Sequence, residues 1–424
     1  MFVPKLFTCL KNYSKEQFVK DFVAGLIVAI IAFPLSIALA IASGVSPEKG
    51  LYTAVIGGFI ISLLGGSRVQ IGGPTGAFIV IIYGIISKYS FEGLIVATLI
   101  AGIILILMGL LRFGNVIKYI PYTIVTGFTS GIAITIFSTQ IKDFLGLNIE
   151  KVSSEFIPKW VEYIKALPTM NYKILFIGII SIFIILIWPK ITNKIPGTLA
   201  AIIISTIINL VFKLNVETIG SRFGSISASI PSFNFPDINA ELVYKLLMPG
   251  ITIAVLAGIE SLLSAVVADG MVDGNHRSNM ELVAQGTANI FSVLLGGIPV
   301  TGAIARTAAN VKNGGRTPMA GIIHSIALFF IMLVFLPYMK LVPMTTLAAI
   351  LIIVSYNMGE WEFFKKLSTL SKGDTLVFLV TFSLTVLVDL VAAITTGIAL
   401  HFVLLFINNK GIRVSDLAQE KQSA

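Results

Sequence analysis

The chain has 424 residues, 56% of them hydrophobic and 12% charged, with a formal net charge of +9 and one cysteine, Cys9. A charged fraction about half that of a soluble domain excludes an ordinary globular enzyme and defines a polytopic membrane protein. A single cysteine excludes an internal disulfide and a cysteine-based metal site, and no soluble basic domain is present to carry a nucleic-acid partner, so the positive charge fits the flanks of membrane helices.

Residues 1–20 read as a basic cytoplasmic segment, with Lys5, Lys11, Lys15 and Lys20 ahead of the first apolar run and no small-residue cleavage site. Spans are predicted near 21–43, 50–66, a short one at 74–87, then 92–111, 116–141, 173–189 and 195–212. A second series follows near 243–268, 279–296, a short one at 300–312, then 318–338, 343–358, 374–390 and 391–408. The chain thus divides into a first repeat (21–212), an external connection (213–242), a second repeat (243–408) and a short cytoplasmic tail (409–424). Seven spans per half is an odd number, which forces the halves into opposite orientations, an inverted repeat.

Charge asymmetry agrees. Arg68, Arg112, Lys118, Lys190, Lys194, Arg277, Lys312 and Arg316 fall in loops on one side, while short loops on the other hold only Lys49, Lys88 and Lys340. The positive-inside rule then puts both termini in the cytoplasm of a cell (inner) membrane. The connection at 142–172, with Trp160 and Tyr163 among alternating charges, reads as an interfacial amphipathic helix, and Ser221 to Pro236 as an extended external loop.

The most informative stretch is Leu294 to Gly315, LLGGIPVTGAIARTAANVKNGG. Pro299 suits the first turn of a helix, where its missing N–H costs nothing. From Val300 to Asn310 there are about eleven residues, roughly half the ~30 Å hydrocarbon core. A helix beginning inside the membrane points unpaired N–H groups and a partial positive charge inward, and with Arg306 close by the place reads as an anion site. Leu63-Leu64-Gly65-Gly66 followed by Gly73-Pro74-Thr75-Gly76-Ala77 echoes Leu294-Leu295-Gly296-Gly297 followed by Pro299-Val300-Thr301-Gly302-Ala303. Lys118 to Thr123 likewise echoes Lys340 to Thr345. Paired short segments interrupted by Gly and Pro mark the substrate site of a secondary transporter.

The polar candidates follow from depth. Glu260, mid-span, is costly there unless paired or protonated. It is read as a proton carrier, as a cation ligand with Ser264 one turn away, or as an ion-pair partner of Arg306. Arg306 is either a substrate contact or a clamp between helices. Thr75 and Thr301 either cap the short helices or touch substrate; the N–H groups of Gly76, Ala77, Gly302 and Ala303 are better anion donors. Phe33, Pro34 and Phe78 wall the site or pack the core. Asp269, Asp273 and Arg277 are assigned to structural contacts, Asp389 to a cap of the last helix, His276, His324 and His401 to satisfied or interfacial positions, and Gln140, Gln285 and Asn289 to bonds between helices.

Several strings carry a resemblance: Pro47 to Tyr52 (PEKGLY), Gly72 to Gly76 (GGPTG), Glu260 to Ala265 (ESLLSA), Glu281 to Gly286 (ELVAQG), and Gly297 to Ala303 (GIPVTGA) running through Arg306-Thr307 to Arg316-Thr317-Pro318. Over residues 15–410 the chain resembles the sulfate permease (SulP) family of secondary anion transporters. The resemblance implies an all-α membrane protein of fourteen elements in a 7+7 inverted repeat. It also implies a core of spans 1–4 and 8–11, a gate of spans 5–7 and 12–14, a homodimer, and elevator-like movement of core against gate. Substrate would lie between the third and tenth spans, with coupling on Glu260 and anion contact on Arg306. Family members usually continue into a cytoplasmic STAS domain, whereas here only Asn408 to Ala424 follow the last span. Sodium-dependent bicarbonate members carry aspartate where this chain has Glu260, which favours a proton over sodium as the coupling ion.

The expectation is therefore proton-coupled sulfate uptake, with no cofactor and no metal. Bicarbonate or a C4-dicarboxylate are the alternative substrates, and an uncoupled exchanger or channel the alternative mechanism. Nucleobase symporters share the architecture, but Arg306 and the Gly-Pro-Thr string favour an inorganic anion. An intramembrane enzyme is disfavoured because no His-Glu-x-x-His motif or nucleophile–base pair is visible.

Overall fold

Apolar stretches inside a bilayer must satisfy their backbone groups internally, and this chain does so almost entirely as helices. The computed structural model describes residues 2–115, 121–150, 152–153, 155–192, 195–224, 231–233, 235–236, 239–388 and 392–406. A short α1 (Lys5–Cys9) precedes α2 (Lys15–Ala42), whose N-cap Ser14 accepts the Gln17 N–H at 3.1 Å. Helix α3 (Pro47–Tyr52) runs through one π turn (Thr53–Gly57) into α4 (Gly58–Leu64). Strand β1 (Gly72–Gly73) and a 3₁₀ turn (Gly76–Phe78) lead into α5 (Ile79–Leu110), which Ser90, at φ 59°, breaks into a short arm and a return arm. Next come α6 (Tyr122–Leu145), α7 (Phe156–Ala166), α8 (Tyr172–Ile191), α9 (Gly197–Val211) and α10 (Ile219–Phe223). The second half holds α11 (Ala240–Val272), α12 (Ser278–Leu294), β2 (Thr301–Gly302), α13 (Ile304–Lys312) and α14 (Met319–Phe335). It closes with α15 (Met344–Met358), α16 (Trp361–Lys366), α17 (Lys372–Leu387) and α18 (Ala392–Phe406). Among the described residues seven helices are long and apolar enough to cross a membrane, so this is a multi-pass membrane protein.

The expected spans find their helices with boundary shifts of a few residues, and the helix expected within 142–172 appears as α7. The connection after α9 is more structured than a loop. The Ile219 N–H donates to the Val342 carbonyl (3.0 Å) and the Met344 N–H to the Glu217 carbonyl (2.9 Å), so it is stitched to the start of α15. Lys118, Lys194, Asp389 and the tail beyond Phe406, like residues 225–230 of that connection, lie outside the described residues.

The helices sort into two packed groups. In one, α5 lies along α11 and α12, and α14 lies along α2 and α4, with α13 wedged between α11 and α2. In the other, α6 lies along α15 and α17, and α8 along α9 and α15. Small residues let α6 and α17 come close: a Cβ at Gly127 would sit 2.8 Å from the Phe378 carbonyl oxygen.

One expectation fails. Pro299 is not the first turn of a helix, because the chain stays extended until Ile304. The reason is tertiary. Asn289 donates to the Val300 carbonyl (2.7 Å) and accepts the Val300 N–H (3.0 Å), Ser292 donates to the Ile298 carbonyl (2.8 Å), and Thr53 accepts the Ile298 N–H (2.7 Å). These bonds, with pairing to β1, outcompete helix formation. Asn289 does bridge elements as expected, whereas Gln285 bonds Glu281 and Gln140 bonds Thr139, each within its own helix.

Two buried carboxylates that the sequence did not single out hold the frame. Asp21 accepts from Tyr13 (3.0 Å), Gln17 (2.9 Å), the Arg316 N–H (2.9 Å) and the Thr317 hydroxyl, tying α2 to the segment after α13. Glu281 accepts the N–H groups of Gly66 (2.7 Å) and Ser67 (3.0 Å) and the Gln285 amide (2.8 Å). Stranding those two N–H groups costs about 1–3 kcal/mol each. Glu281→Ala is therefore expected to lower the unfolding midpoint of detergent-solubilised protein well below that of Glu281→Gln, which keeps an acceptor oxygen; equal midpoints would show that the carboxylate is not the clamp.

Candidate anion site

The two chain reversals meet in the middle of the first helix group. Strands β1 and β2 pair antiparallel, Gly72 opposite Gly302 and Gly73 opposite Thr301, so the segments entering the 3₁₀ turn at Gly76 and helix α13 are tied at their bases. The pairing is made by glycines because side chains arrive on both flanks. A Cβ at Gly73 would collide with the Arg306 guanidinium, and one at Gly302 with the Gln70 amide. Gln70 donates to the Ser261 carbonyl (3.2 Å), and the Ala303 N–H donates to the Ile71 carbonyl (2.9 Å).

Arg306, in the first turn of α13, is 2% exposed and among the largest fully buried side chains. Its Nη2 donates to the Pro74 carbonyl (3.1 Å) and more weakly to Ser36 Oγ (3.4 Å). Its Nε and Nη1 have no partner. A buried cation with open donors is costly unless a further acceptor completes it. The ion pairs among the described residues do not include one with Glu260. Glu260 instead accepts from Thr75 Oγ1 at 2.8 Å, joining α11 to the segment that leads from β1 to the 3₁₀ turn. The Arg306–Glu260 ion pair, one of the readings of Glu260, is absent among the described residues, and each charge is held from the same short stretch, Pro74-Thr75.

The remaining candidates divide. Thr75 caps no helix and points at Glu260; Thr301 caps none either, its hydroxyl donating to the Ala257 carbonyl (3.1 Å). Ser264 is buried and bonded to Thr307 (3.4 Å). The Ala303 N–H is already used by Ile71, which leaves the first-turn N–H groups of α13 and those of Gly76 and Ala77. Phe33, 5% exposed, and Phe78, fully buried, pack in the same core cluster as Ala77. Ile304 is exposed and Glu260 and Thr75 are half-buried, so the site's rim reaches open space while Arg306 does not.

Among the lower-ranked residues, Asp269 pairs with His276 (2.6 Å), while Arg277 donates to the Val3 carbonyl (2.6 Å). His324 departs from expectation, being buried with both ring nitrogens unpartnered.

A cavity of about 1010 Å³ opens beside this site on the face that carries α7. It lies between the ends of α2, α5 and α11 on one side and of α6 and α15 on the other. On α5 its lining begins at Ile79, one residue past Phe78, and the lining includes neither Arg306 nor Glu260. A Cβ on Gly76 would lie 2.8 Å from Ile136 and 3.7 Å from Met358, so apolar side chains of α6 and α15 cover the site from that direction.

Chain reversals that bring polar groups together inside a helical membrane protein, next to a cavity between two helix groups, define a solute carrier rather than an enzyme. The sulfate permease family profile matches residues 18–381, and the chain belongs to this family. It is 45% identical over 395 residues to the "Putative sulfate transporter YvdB" of Bacillus subtilis, covering 93% of this chain and 74% of that one. It is 32% identical to the bicarbonate transporter BicA of Picosynechococcus, covering 95% and 71%. The solved transmembrane domain of a cyanobacterial BicA superposes with a TM-score of 0.81 at 30% identity, covering 90% of this chain and 98% of that one. SLC26A9, at 19% identity and a TM-score of 0.87 over 95% of this chain and 68% of that one, shares the fold.

Because Gly73 admits the guanidinium, Gly73→Ala is expected to displace Arg306 and weaken sulfate or bicarbonate binding by roughly tenfold or more, about 1.4 kcal/mol per decade. Isothermal titration on purified protein checks this; wild-type affinity in the alanine variant would mean that the glycine makes no room for the arginine.

Proposed function

We propose that the chain is a secondary active transporter of small inorganic anions that carries sulfate into the cell coupled to protons, its substrate held at Arg306 between the two chain reversals. The observation that carries this reading is the open Nε and Nη1 of a buried arginine. An oxyanion there would accept from one of these donors, and the α13 N-terminus adds favourable potential. Similarity to YvdB favours sulfate. Bicarbonate is the second reading, favoured by the 30% identity and 0.81 TM-score to the BicA membrane domain.

Glu260 is the coupling residue in this reading. Ionised, it takes the Thr75 hydroxyl and draws the negative charge of the site toward α11; protonated, it removes the repulsion that an incoming anion meets. Proton and anion then travel together. Sodium is the less favoured coupling ion because Ser264 is committed to Thr307.

The group α2, α3, α4, α5, α11, α12, α13 and α14 acts as the core and the group α6, α8, α9, α15, α17 and α18 as the gate, spans 1–4 with 8–11 and 5–7 with 12–14 of a seven-plus-seven inverted repeat. Movement of core against gate carries the site from one face to the other. The N-terminus lies in the cytoplasm of a cell membrane, and the protein works as a homodimer.

Labelled uptake into proteoliposomes tests this under inward proton, inward sodium or no gradient, with sulfate and bicarbonate as substrates. Proton-driven sulfate accumulation is expected; accumulation driven by sodium alone would overturn the coupling assignment. Arg306→Ala should raise the KM at least tenfold, about 1.4 kcal/mol, and Glu260→Gln should abolish gradient-driven accumulation while sparing anion exchange. Unchanged kinetics in Arg306→Ala would remove the anion from this place.

A further inference from the structure

The cavity on the α7 face carries a feature that the central site does not use. Lys159 of α7 lines it, yet is only 5% exposed. Among the described residues it has no carboxylate within ion-pair distance and makes no side-chain hydrogen bond. The neighbouring acids are otherwise engaged or solvated. Glu162 accepts the Ser153 N–H (3.0 Å), Asp143 is held in a two-bond grip by Arg222 (2.7 and 2.9 Å), and Glu150 and Glu155 are exposed. Arg222 also binds Glu217 (2.6 Å), so this cation is spent on acids; Lys88, which is exposed, and the half-buried Lys142 also line the cavity. Burial lowers the Lys159 ammonium from its ordinary value, with only Glu162 acting against it. For Arg222 burial acts in the same direction, but its bonds to Asp143 and Glu217 outweigh it and raise the guanidinium.

The helix is fixed in place. Trp160 Nε1 donates to Ser138 on α6 (3.1 Å), and the Trp160 ring meets Tyr163, another lining residue, edge-on at 5.9 Å. Lys159 is therefore presented to the cavity by a helix bolted to α6, above the apolar cover formed by Ile136 and Met358. A lysine buried along its stem, with its ammonium free of a counter-charge beside a cavity, is a site for an inorganic anion.

We propose that Lys159 forms a second, weaker anion site in the vestibule, which holds an inorganic anion on its way between bulk solution and the Arg306 site; the role in transit rests on the anion-transport reading above. Its contribution is local concentration rather than selectivity, since one ammonium and a Tyr hydroxyl offer few directional bonds.

The test reads Trp160 directly and needs no transport. Trp188→Phe and Trp361→Phe leave Trp160 as the reporting indole. Protein in nanodiscs is titrated with iodide, balanced by gluconate at constant ionic strength, and separately with neutral acrylamide. The iodide quenching constant is expected to fall roughly two- to threefold in Lys159→Gln while the acrylamide constant stays put, and Lys159→Arg should retain the wild-type iodide value. Inorganic sulfate should compete with iodide in the parent protein but not in K159Q. Equal iodide quenching in parent and K159Q, or K159R behaving like K159Q, would overturn the vestibule site. The two readings fail separately. Arg306→Ala should leave Trp160 quenching unchanged while impairing uptake, and K159Q should raise the uptake KM with little change in kcat.

Discussion

The structure is organised around a guanidinium that has been taken out of water. An arginine at the centre of a membrane protein costs several kcal/mol unless acceptors surround it, and Arg306 has one carbonyl, a distant hydroxyl and two unused donors. To bring even that carbonyl within 3.1 Å, two segments from opposite ends of the chain must reverse direction inside the bilayer. Reversals strand backbone groups, and no water is at hand to satisfy them. The chain answers with side chains aimed at backbone: Asn289 on Val300, Thr53 and Ser292 on Ile298, Asn310 on the Val69 carbonyl (2.8 Å), and Thr307 on the Ile71 N–H (3.0 Å). These polar residues of an otherwise apolar helix group satisfy backbone around the β1–β2 crossing.

How much of this was legible depended on range. Helices were legible because hydropathy is local, and so were the two reversals, since Gly-Gly-Pro-Thr-Gly and Gly-Gly-Ile-Pro-Val-Thr-Gly announce themselves. Arg306 stood out because a cation is rare in such a run. The start of α13 was misplaced because the residue that keeps Val300 extended, Asn289, lies a helix away and has no mark in the local pattern. The Thr75–Glu260 bond spans 185 positions and had no sequence signature, so the nearer Ser264 and the opposite charge of Arg306 were more visible partners. Asp21 was hidden by its setting: among Lys15, Glu16 and Lys20 it looks like a solvated flank, and only the fold brings Thr317 and the Arg316 N–H to it. Lys159 was disguised in the same way, as one charge of an amphipathic helix.

The distribution of polar bonds bears on how such a molecule moves. The bonds that fix Arg306, Glu260, Gln70 and the two strands all stay within the α2–α5–α11–α14 group. Those of the other group are likewise internal: Ser181 to Thr346 (3.2 Å), Thr346 to Ser205 (2.8 Å), and the Glu360 N–H to Ser130 (3.2 Å). Where the groups face each other at the site, Gly76 meets Ile136 and Met358, apolar contacts with no directional preference. Dispersion and burial resist separation of such surfaces but resist sliding far less, because one apolar contact replaces another along the path. Hydrogen bonds have no such tolerance. Among the described residues the polar bonds around the site thus stay within one group and hold the arginine and its carbonyl together. The cavity on the α7 face lies between ends of the two groups, and its α5 lining starts at Ile79, next to the buried Phe78. Arg306 and the bonds around it thus lie behind a short apolar layer, out of contact with the cavity.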